Sequence, residues 1–339
     1  MEKRVSITDI AKQLGVSITT VSFILNGRAK EKRISDKVVK SVLDLVEEVN
    51  YKPNTLARSL RTGKTNIIGL LVEDIANPFF GSIARLIEGN AYRNGYKIIY
   101  SSTGNDTAKA RELLQMFRDR HVDGYIIVPP EGVESEIQAI MASGKPVVLL
   151  DRYLPEVDVD SVMIDNKESA YKATEHLVLN GFKHVGLITL NSTQLQMQDR
   201  LLGYTEAIKH YGMTERVEKI TVEDNDAIVD QIKSFLQANS DLDAVLFLTN
   251  YLCRMGLKAM KAMQLNIPQD IAVVGFDEYE LFEMYTPTIT TVAQPIEQIA
   301  ESAINVLLSK LDPDNTKDKF QKLVLPASLI ARQSSVKQA

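Results

Sequence analysis

SITDIAKQLGVSITTVSFILN, residues 6–26, contains two short segments of helical periodicity separated by a glycine. The first repeats apolar residues at intervals of three and four: Ile7, Ile10, Ala11 and Leu14. The second follows Gly15 and repeats Val21, Ile24 and Leu25. Ser6 with Asp9 is a capping-box-like start, and Ser17 is a favourable N-cap for the second helix. The pattern predicts a helix-turn-helix whose second helix can enter a DNA major groove; an ordinary helical hairpin is the alternative.

Charge is distributed unevenly along the chain. Residues 1–65 carry 13 Lys and Arg against 7 Asp and Glu, a net charge of +6, whereas the whole chain is −5 and the remainder is therefore −11. A small basic part joined to an acidic part indicates that only the basic part meets nucleic-acid phosphate. A charged surface that interacts only with solvent is the alternative.

Length and composition narrow the class of protein. A chain of 339 residues is long enough for about two or three domains. The N-terminus lacks the apolar core of a signal peptide, and no apolar run reaches the roughly 18 residues needed to cross a membrane. The single cysteine, Cys253, leaves no internal disulfide possible. We therefore expect a cytoplasmic protein with no membrane partner, no cofactor and no metal site.

The pattern of apolar and polar residues changes twice along the chain. Ser35 opens a predicted third helix, which completes a small all-α head over residues 1–50. Residues 51–65 combine Tyr51-Lys52-Pro53-Asn54, a short helical candidate at 55–60 and a polar linker. From residue 66, predicted helices, among them 107–119, 134–142 and 199–210, alternate with strands of the buried type. The strands are predicted at 67–72, 97–102, 124–128, 146–151, 184–189, 244–249 and 271–277.

This alternation predicts an α/β body of two doubly wound parallel-sheet lobes over residues 66–339. Lobe one is expected at about 66–160 plus 292–322. Lobe two is expected at about 161–291 plus 323–339.

Polar and aromatic residues follow the predicted strands. Ligands of doubly wound sheets bind beyond the carboxyl ends of the strands, where this chain places Asn77, Phe79, Phe80, Asp151, Arg152, Asp165, Asn166, Arg200, Asn250, Asp277 and Gln294. Carboxylates, amides and guanidinium groups pair with hydroxyls, and aromatic faces stack on sugar rings. The set therefore predicts a polyhydroxylated ligand. Taken singly, each residue is more often a cap, a turn or part of the core.

Several motifs occur in one order along the whole chain: ITDIAKQLGVS, TTVSFILNG, NYKPNTLARSL, NPFF, LLDR, IDN, DRLLGY, VVGFD, TVAQP and SLIARQSS. With them the chain resembles the lactose-repressor/galactose-repressor family of bacterial transcription regulators. The resemblance implies a helix-turn-helix head on a periplasmic-binding-protein-like body. It also implies a homodimer that presents two heads to a near-palindromic double-stranded DNA operator, with hinge helices that fold in the minor groove.

The resemblance assigns DNA contacts to the head and the hinge. Ile18 and Thr19 would read bases from the first turn of the recognition helix. Phe23 stands where many relatives carry arginine, which leaves the operator sequence open. Leu60 matches a leucine that wedges between central base pairs. The residues that match phosphate-contacting positions of the family are Thr8, Ser22, Asn26 and Asn54. Ser17 and Ala57 complete the predicted DNA-binding set.

The resemblance also assigns a ligand cleft. Matching positions are Asn77, Phe79, Phe80, Asp151, Arg152, Arg200, Asn250, Asp277 and Gln294. The two phenylalanines would stack on a sugar, and Asp151, Arg152, Arg200 and Asp277 would bond its hydroxyls. Tyr251 replaces a common aspartate, and the loop at 191–198 is rich in amides rather than glycine. Both departures leave the effector open, including a non-sugar one.

The function that this resemblance implies is an effector-controlled repressor of carbohydrate-related genes, without catalytic residues. A sugar-handling enzyme with a doubly wound body and a secreted sugar-binding protein are the alternatives. No phosphate-binding glycine loop or G-x-S-x-G motif is present. Arg152 and Arg200 should keep Asp151 and Asp277 ionised, which favours binding over acid–base catalysis. With no apolar heptad helix after residue 332, a dimer is favoured over a tetramer.

Overall fold

The computed structural model describes residues 5–51, 63–221, 224–312, 314 and 319–337. The chain divides into two compact units, Met1–Thr65 and Asn66–Ala339, here called the head and the body. The predicted hinge helix at 55–60 lies outside the described residues, and with it Asn54, Ala57 and Leu60. Their roles stay predictions.

Three helices form the head: Ile7–Leu14, Ile18–Leu25 and Asp36–Glu48 (α1 to α3). The Ser6 hydroxyl accepts the backbone N–H of Asp9, and the Asp9 carboxylate accepts the N–H of Ser6. Gly15 ends α1 at φ 64°, a left-handed conformation that glycine adopts without steric cost. The three helices share one core: Ile10, Ala11, Val21, Ile24, Val42 and Leu45. The predicted helix-turn-helix is confirmed.

Two six-stranded sheets form the described body. The strands of the first are Ile67–Val72, Lys97–Ser102, Gly124–Ile127, Val147–Leu150, Asp160–Ile164 (β1 to β5) and Lys322–Leu325 (β11). The strands of the second are Val185–Leu190, Val217–Ile220, Ala244–Phe247, Ala272–Phe276, Thr290–Ala293 (β6 to β10) and Ser328–Ile330 (β12).

The strand orders are β11-β5-β4-β3-β1-β2 and β12-β10-β9-β8-β6-β7. Every neighbouring pair is parallel except β10 with β12. The predicted pair of doubly wound lobes is therefore confirmed.

Helices connect most of the parallel strands, whereas a loop at 151–159 joins β4 to β5. Those between β1 and β6 are Pro78–Arg93, Thr107–Asp119, Glu134–Ala142 and Asn166–Leu179 (α4 to α7). Leu195–His210, Asn225–Ala238, Asn250–Ala262 and Glu280–Met284 (α8 to α11) follow, then Ile296–Leu311 (α12) and a 3₁₀ turn at Gln333–Ser335.

The chain passes between the sheets three times: after β5, after β10 and between β11 and β12. These passages lie a few residues beyond the predicted boundaries at 160, 291 and 322. The difference arises because β5, β10 and β11 complete their ladders before the chain leaves each sheet.

The strand cores are apolar on both faces because helices cover both sides of each sheet. In β8 and β9 every residue is buried. No helix among the described residues is long and apolar enough to cross a membrane.

Candidate DNA-binding surface and ligand cleft

One face of the recognition helix α2 is buried and the other is open. Val21 and Ile24 pack in the head core, whereas Ser17, Ile18, Thr19 and Asn26 are exposed and Ser22 is half-exposed. Ile18 leaves 47% of its surface exposed at the first turn of the helix. An apolar side chain in that place suits contact with a thymine methyl group. Thr8, on α1, is also exposed. Five of the seven predicted head residues are therefore exposed, and the other two, Ser22 and Phe23, are half-buried.

Phe23 is packed against the loop that follows the recognition helix. The Arg28 guanidinium lies 5.7 Å and the Lys32 ammonium 5.4 Å from the centroid of its ring. Glu31 joins the two cations: its carboxylate accepts two hydrogen bonds from Arg28, at 2.7 and 2.8 Å, and lies 3.2 Å from Lys32. The hydrogen bond from Arg28 and then that from Lys32 lower the pKa of Glu31 to about 2. The ring of Phe23 thus supports a charged loop.

In the body, the carboxyl ends of both sheets face one narrow cleft between the lobes. Eight of the nine predicted ligand residues line it: Asn77, Phe79, Phe80, Asp151, Arg152, Arg200, Asp277 and Gln294. The ninth, Asn250, lines an adjoining cavity with Asn77 and Tyr251. The Nδ2 of Asn250 donates to Asn77 Oδ1 at 3.3 Å, which bridges the two lobes.

The aromatic wall of the cleft comes from the start of α4. Asn77 caps this helix by accepting the N–H of Phe79, and Pro78 occupies the first turn, where its missing N–H costs nothing. Phe79 and Phe80 lie edge to face, with centroids 5.0 Å apart and planes at 69°. Both are buried within the core of the body and also border the cleft. They can therefore serve packing and ligand stacking together.

Arg152 is held on the first-lobe side. Its Nη2 donates to Glu73, its Nη1 donates to Asn105 Oδ1 at 2.6 Å, and its Nε lies 3.5 Å from Asp151 Oδ2. Nη1 also lies 3.5 Å from the carbonyl oxygen of Pro129. This buried network fixes the guanidinium in one orientation at the end of β4.

Arg200 is held on the second-lobe side. Its Nε donates to Asn166 Oδ1 and its Nη1 to the carbonyl of Leu248, both at 2.8 Å. The guanidinium carbon lies 3.7 Å from the centroid of the Phe276 ring, a close cation–π contact. Arg200 is buried, so its position depends on how α7 and α8 pack.

Asp151 and Asp277 occupy equivalent places at the ends of β4 and β9. Both have positive φ, 64° and 70°, which is rare for residues other than glycine and marks strain of the kind found at binding sites. Burial raises the pKa of both carboxyls, and the neighbouring guanidinium groups lower it less than burial raises it. The guanidinium groups offset part of the rise that burial causes, and the expectation that they keep both carboxyls ionised stays a prediction.

Comparison with known proteins agrees with this geometry. Residues 6–54 match the model of the lacI family of bacterial regulatory proteins, and residues 174–335 match a periplasmic binding protein-like domain. The chain is 30% identical over 329 residues to the ribose operon repressor of Haemophilus influenzae, covering 96% of this chain and 97% of that one.

The chain belongs to the lacI family. It is a DNA-binding transcriptional regulator with a body built to receive a small-molecule effector. Another relative is the HTH-type transcriptional repressor PurR of Actinobacillus pleuropneumoniae, 27% identical over 97% of this chain and 98% of that one.

Solved structures show the same architecture. The lac repressor dimer bound to operator and the anti-inducer ONPF superposes with a TM-score of 0.84 at 23% identity, over 99% of this chain and all of that one. A LacI family regulator from Enterococcus faecium with bound ribose superposes with a TM-score of 0.72 at 25% identity, over 80% of this chain and all of that one.

Two local details of this lacI-family chain differ from expectation. The helix predicted at 199–210 begins earlier, at Leu195, so Arg200 lies within α8 rather than at its start. The second half of the amide-rich stretch at 191–198 is accordingly the first turn of α8. That turn brings Gln194, Gln196 and Met197 to the cleft.

Sequence reasoning missed several cleft residues: Glu73, Leu190, Gln194, Gln196, Met197, Thr249 and Tyr251. The departures at Tyr251 and in the amide-rich stretch at 191–198 were the signal for four of them: Gln194, Gln196, Met197 and Tyr251. Placing those residues required knowing where α8 begins, which the sequence pattern did not show.

Proposed function

We propose that this lacI-family protein is a repressor of carbohydrate-related genes whose DNA affinity is set by a sugar bound between the two lobes. The observation that carries the proposal is the cleft itself, to which both lobes contribute buried polar groups beside an aromatic wall. Two relatives are repressors by name, and a structural neighbour holds ribose. Neither the cleft geometry nor these relatives favours turnover of the ligand, so we assign no catalytic role. Because a DNA-binding repressor acts where the chromosome lies, we place the protein in the bacterial cytoplasm.

DNA recognition would use two copies of the chain. A C2 dimer presents two recognition helices related by a two-fold axis, so the matching operator is nearly palindromic. The lac repressor neighbour is a dimer bound to its operator. In the head of the present chain, Ile18 and Thr19 would contact base edges, while Thr8, Ser22 and Asn26 would contact phosphates and set the register.

Effector control would act through the relative position of the lobes. Two hydrogen bonds already join them across the cleft, from Asn250 to Asn77 and from Thr193 to Glu131. A ligand that contacts both lobes stabilises the arrangement in which its contacts are complete. It shifts DNA affinity by its differential affinity for the two arrangements.

The test of the DNA-binding part is selection from a pool of random duplexes with the full-length protein, followed by sequencing. Recovery of two inverted half-sites supports the proposal. Recovery of an unenriched pool contradicts it. The effector part is tested separately by calorimetric titration with pentoses and hexoses, in which heat that saturates at one site per subunit is expected.

A further inference from the structure

We propose that the cleft ligand is an uncharged polyhydroxylated molecule, a neutral sugar rather than a phosphorylated or acidic one, and that Gln196 accepts a hydrogen bond from one of its hydroxyls. This inference rests on the proposed function. It adds the charge class of the effector and a residue that recognises it.

The formal charges that line the cleft leave no positive excess. Three carboxyl side chains, Glu73, Asp151 and Asp277, face two guanidinium groups, Arg152 and Arg200. An anionic ligand would add negative charge to a buried region in which charges are weakly screened. A neutral ligand has no such cost.

Arg152 has no fork of N–H groups to offer a phosphate or a carboxylate. Selective anion sites present a guanidinium with two parallel N–H groups directed at the ligand. In this chain Nη2 is engaged by Glu73, and Nη1 by Asn105. Its charge is already balanced by Glu73 and Asp151.

Arg200 is similarly engaged. Asn166 and Leu248 accept from its Nε and Nη1, and Phe276 covers one face of the guanidinium. Its charge faces Asp151 and Asp277, whose pKa it lowers. Because burial has already raised the pKa of both carboxyls, an added anion would disfavour their ionised forms further. Its Nε and Nη1 are thus committed to neutral acceptors of the protein, and its charge acts on the two carboxyls through space.

Two buried polar atoms at the cleft lack a hydrogen-bond partner among the described residues: Gln196 Oε1 and Arg152 Nε. Gln196 is 6% exposed and Arg152 is 5% exposed. One atom is an acceptor and the other a donor. A hydroxyl group can satisfy either, whereas an ionised phosphate or carboxylate oxygen has no hydrogen to give to Oε1. Unpaired buried polar atoms are costly, so a ligand that pairs them gains affinity.

Calorimetric titration of the full-length protein with matched ligands tests the charge class. The series are ribose with ribose 5-phosphate, and glucose with glucose 6-phosphate and glucuronate; inorganic phosphate is titrated separately. We expect a neutral sugar to bind at least on the order of 100-fold more tightly than its charged counterpart, because like charges brought together in a buried site cost several kcal/mol. Tighter binding of a charged member would overturn the inference.

The phosphate titration reports the charge class independently of the sugar. Saturable phosphate binding that Arg200→Gln abolishes would overturn the neutral assignment. Absence of such binding supports it. If no neutral sugar binds, the proposed sugar effector fails, and the phosphate result still stands by itself.

Gln196→Met tests the recognising residue, since methionine has similar length and no amide oxygen. We expect the affinity for the bound neutral sugar to fall about tenfold, the effect of one hydrogen bond. The ligand-free thermal midpoint should change little, because the variant removes an unpaired buried acceptor together with the hydrogen bond that Nε2 donates to Gln194 at 3.1 Å. Gln198→Met, on the exposed side of the same helical turn, is the control and should leave affinity unchanged. Unchanged sugar affinity in Gln196→Met would contradict the role of Gln196. Equal losses of sugar affinity in the two variants, together with a lowered ligand-free midpoint, would contradict it as well.

Discussion

At the scale of single residues, the head offers two apolar side chains of nearly equal exposure with different expected roles. Ile18 is 47% exposed on the recognition helix, and Leu43 is 46% exposed on α3. Neither supports the core strongly, so neither change to alanine should lower stability much. Their difference in DNA binding therefore reports recognition rather than folding.

We predict that Ile18→Ala weakens binding to the selected operator by about tenfold, because an apolar contact with a base methyl group is lost at each half-site. Leu43→Ala is the matched control. Fluorescence anisotropy with labelled operator measures both. Equal affinities for the two variants would show that Ile18 does not read the operator.

Phe23 illustrates what a sequence cannot show at this scale. Its position on the recognition helix indicated either a base contact or packing. Only the structure shows Arg28 and Lys32 seated on its ring, with Glu31 between them. The partners belong to a loop whose conformation is set by side-chain contacts rather than by periodicity, so no pattern in the residue types could have revealed it.

At the ligand cleft, Asp277 makes the stability of the fold depend on pH. Because burial raises its folded-state pKa, the folded chain binds more protons than the unfolded chain at pH values between the two pKa values. The contribution of Asp277 to stability is therefore greatest at low pH and is lost as pH rises from the unfolded value of 3.8 through the higher folded value.

We predict that Asp277→Asn raises the thermal midpoint at neutral pH and flattens its fall with rising pH, while effector binding is lost. Asparagine can still accept the hydrogen bond that Gln294 donates at 2.6 Å, without a buried charge. Thermal scans from pH 4 to pH 8 on both proteins provide the check. A midpoint that falls in the variant would mean that the ionised carboxylate stabilises the fold.

At the scale of elements, the contact between α7 and α8 positions the ligand site. Gly203 of α8 lies against the backbone of α7, where an added Cβ would meet the carbonyl oxygen of Lys167 at 2.1 Å. The same two helices carry Asn166 and Arg200, which are hydrogen-bonded to each other. Close approach of the helices therefore fixes the guanidinium at the cleft.

We predict that Gly203→Ala destabilises the body by about 3 kcal/mol, since the backbone must move to admit the methyl group, and that it also weakens effector binding. Gly89→Ala is the control, because the added Cβ on α4 meets only the end of Arg93 at 3.9 Å. That change should be neutral or stabilise by about 0.5–1 kcal/mol. Urea titrations of both variants give the comparison; an unchanged midpoint in Gly203→Ala would contradict the close packing.

Most helices and strands were predictable because their apolar residues repeat at clear intervals between turns. The strands at 67–72 and 97–102 and the helices at 107–119 and 134–142 occur as expected. Helix α8 was predicted to begin at residue 199, although it begins at Leu195, because its first turn is made of amide residues that lack an apolar pattern. Because of that error, the sequence did not predict Gln196 at the cleft.

At the scale of the whole molecule, the head and the body should respond differently to salt. Residues 1–65 carry a net charge of +6, whereas Arg152 in the cleft is already paired with Glu73 and Asp151. Binding that neutralises DNA phosphates releases counterions, and binding of a neutral ligand does not.

We predict that raising salt from about 50 to about 200 mM lowers operator affinity by roughly 10³-fold or more if six or more phosphates are contacted. Affinity for the neutral effector should change by less than about twofold. Anisotropy and calorimetry at matched salt concentrations measure the two. An effector affinity that falls as steeply as DNA affinity would place charge–charge contacts in the cleft.

Ligand binding in the cleft should be coupled to DNA binding by the head. The most direct measurement is operator affinity of the full-length protein with and without the neutral sugar found by titration, together with sugar affinity with and without operator. Coupling through two arrangements of the lobes requires both affinities to change by the same factor, typically about 5- to 150-fold. A sugar that saturates the cleft and leaves operator affinity unchanged would contradict this coupling.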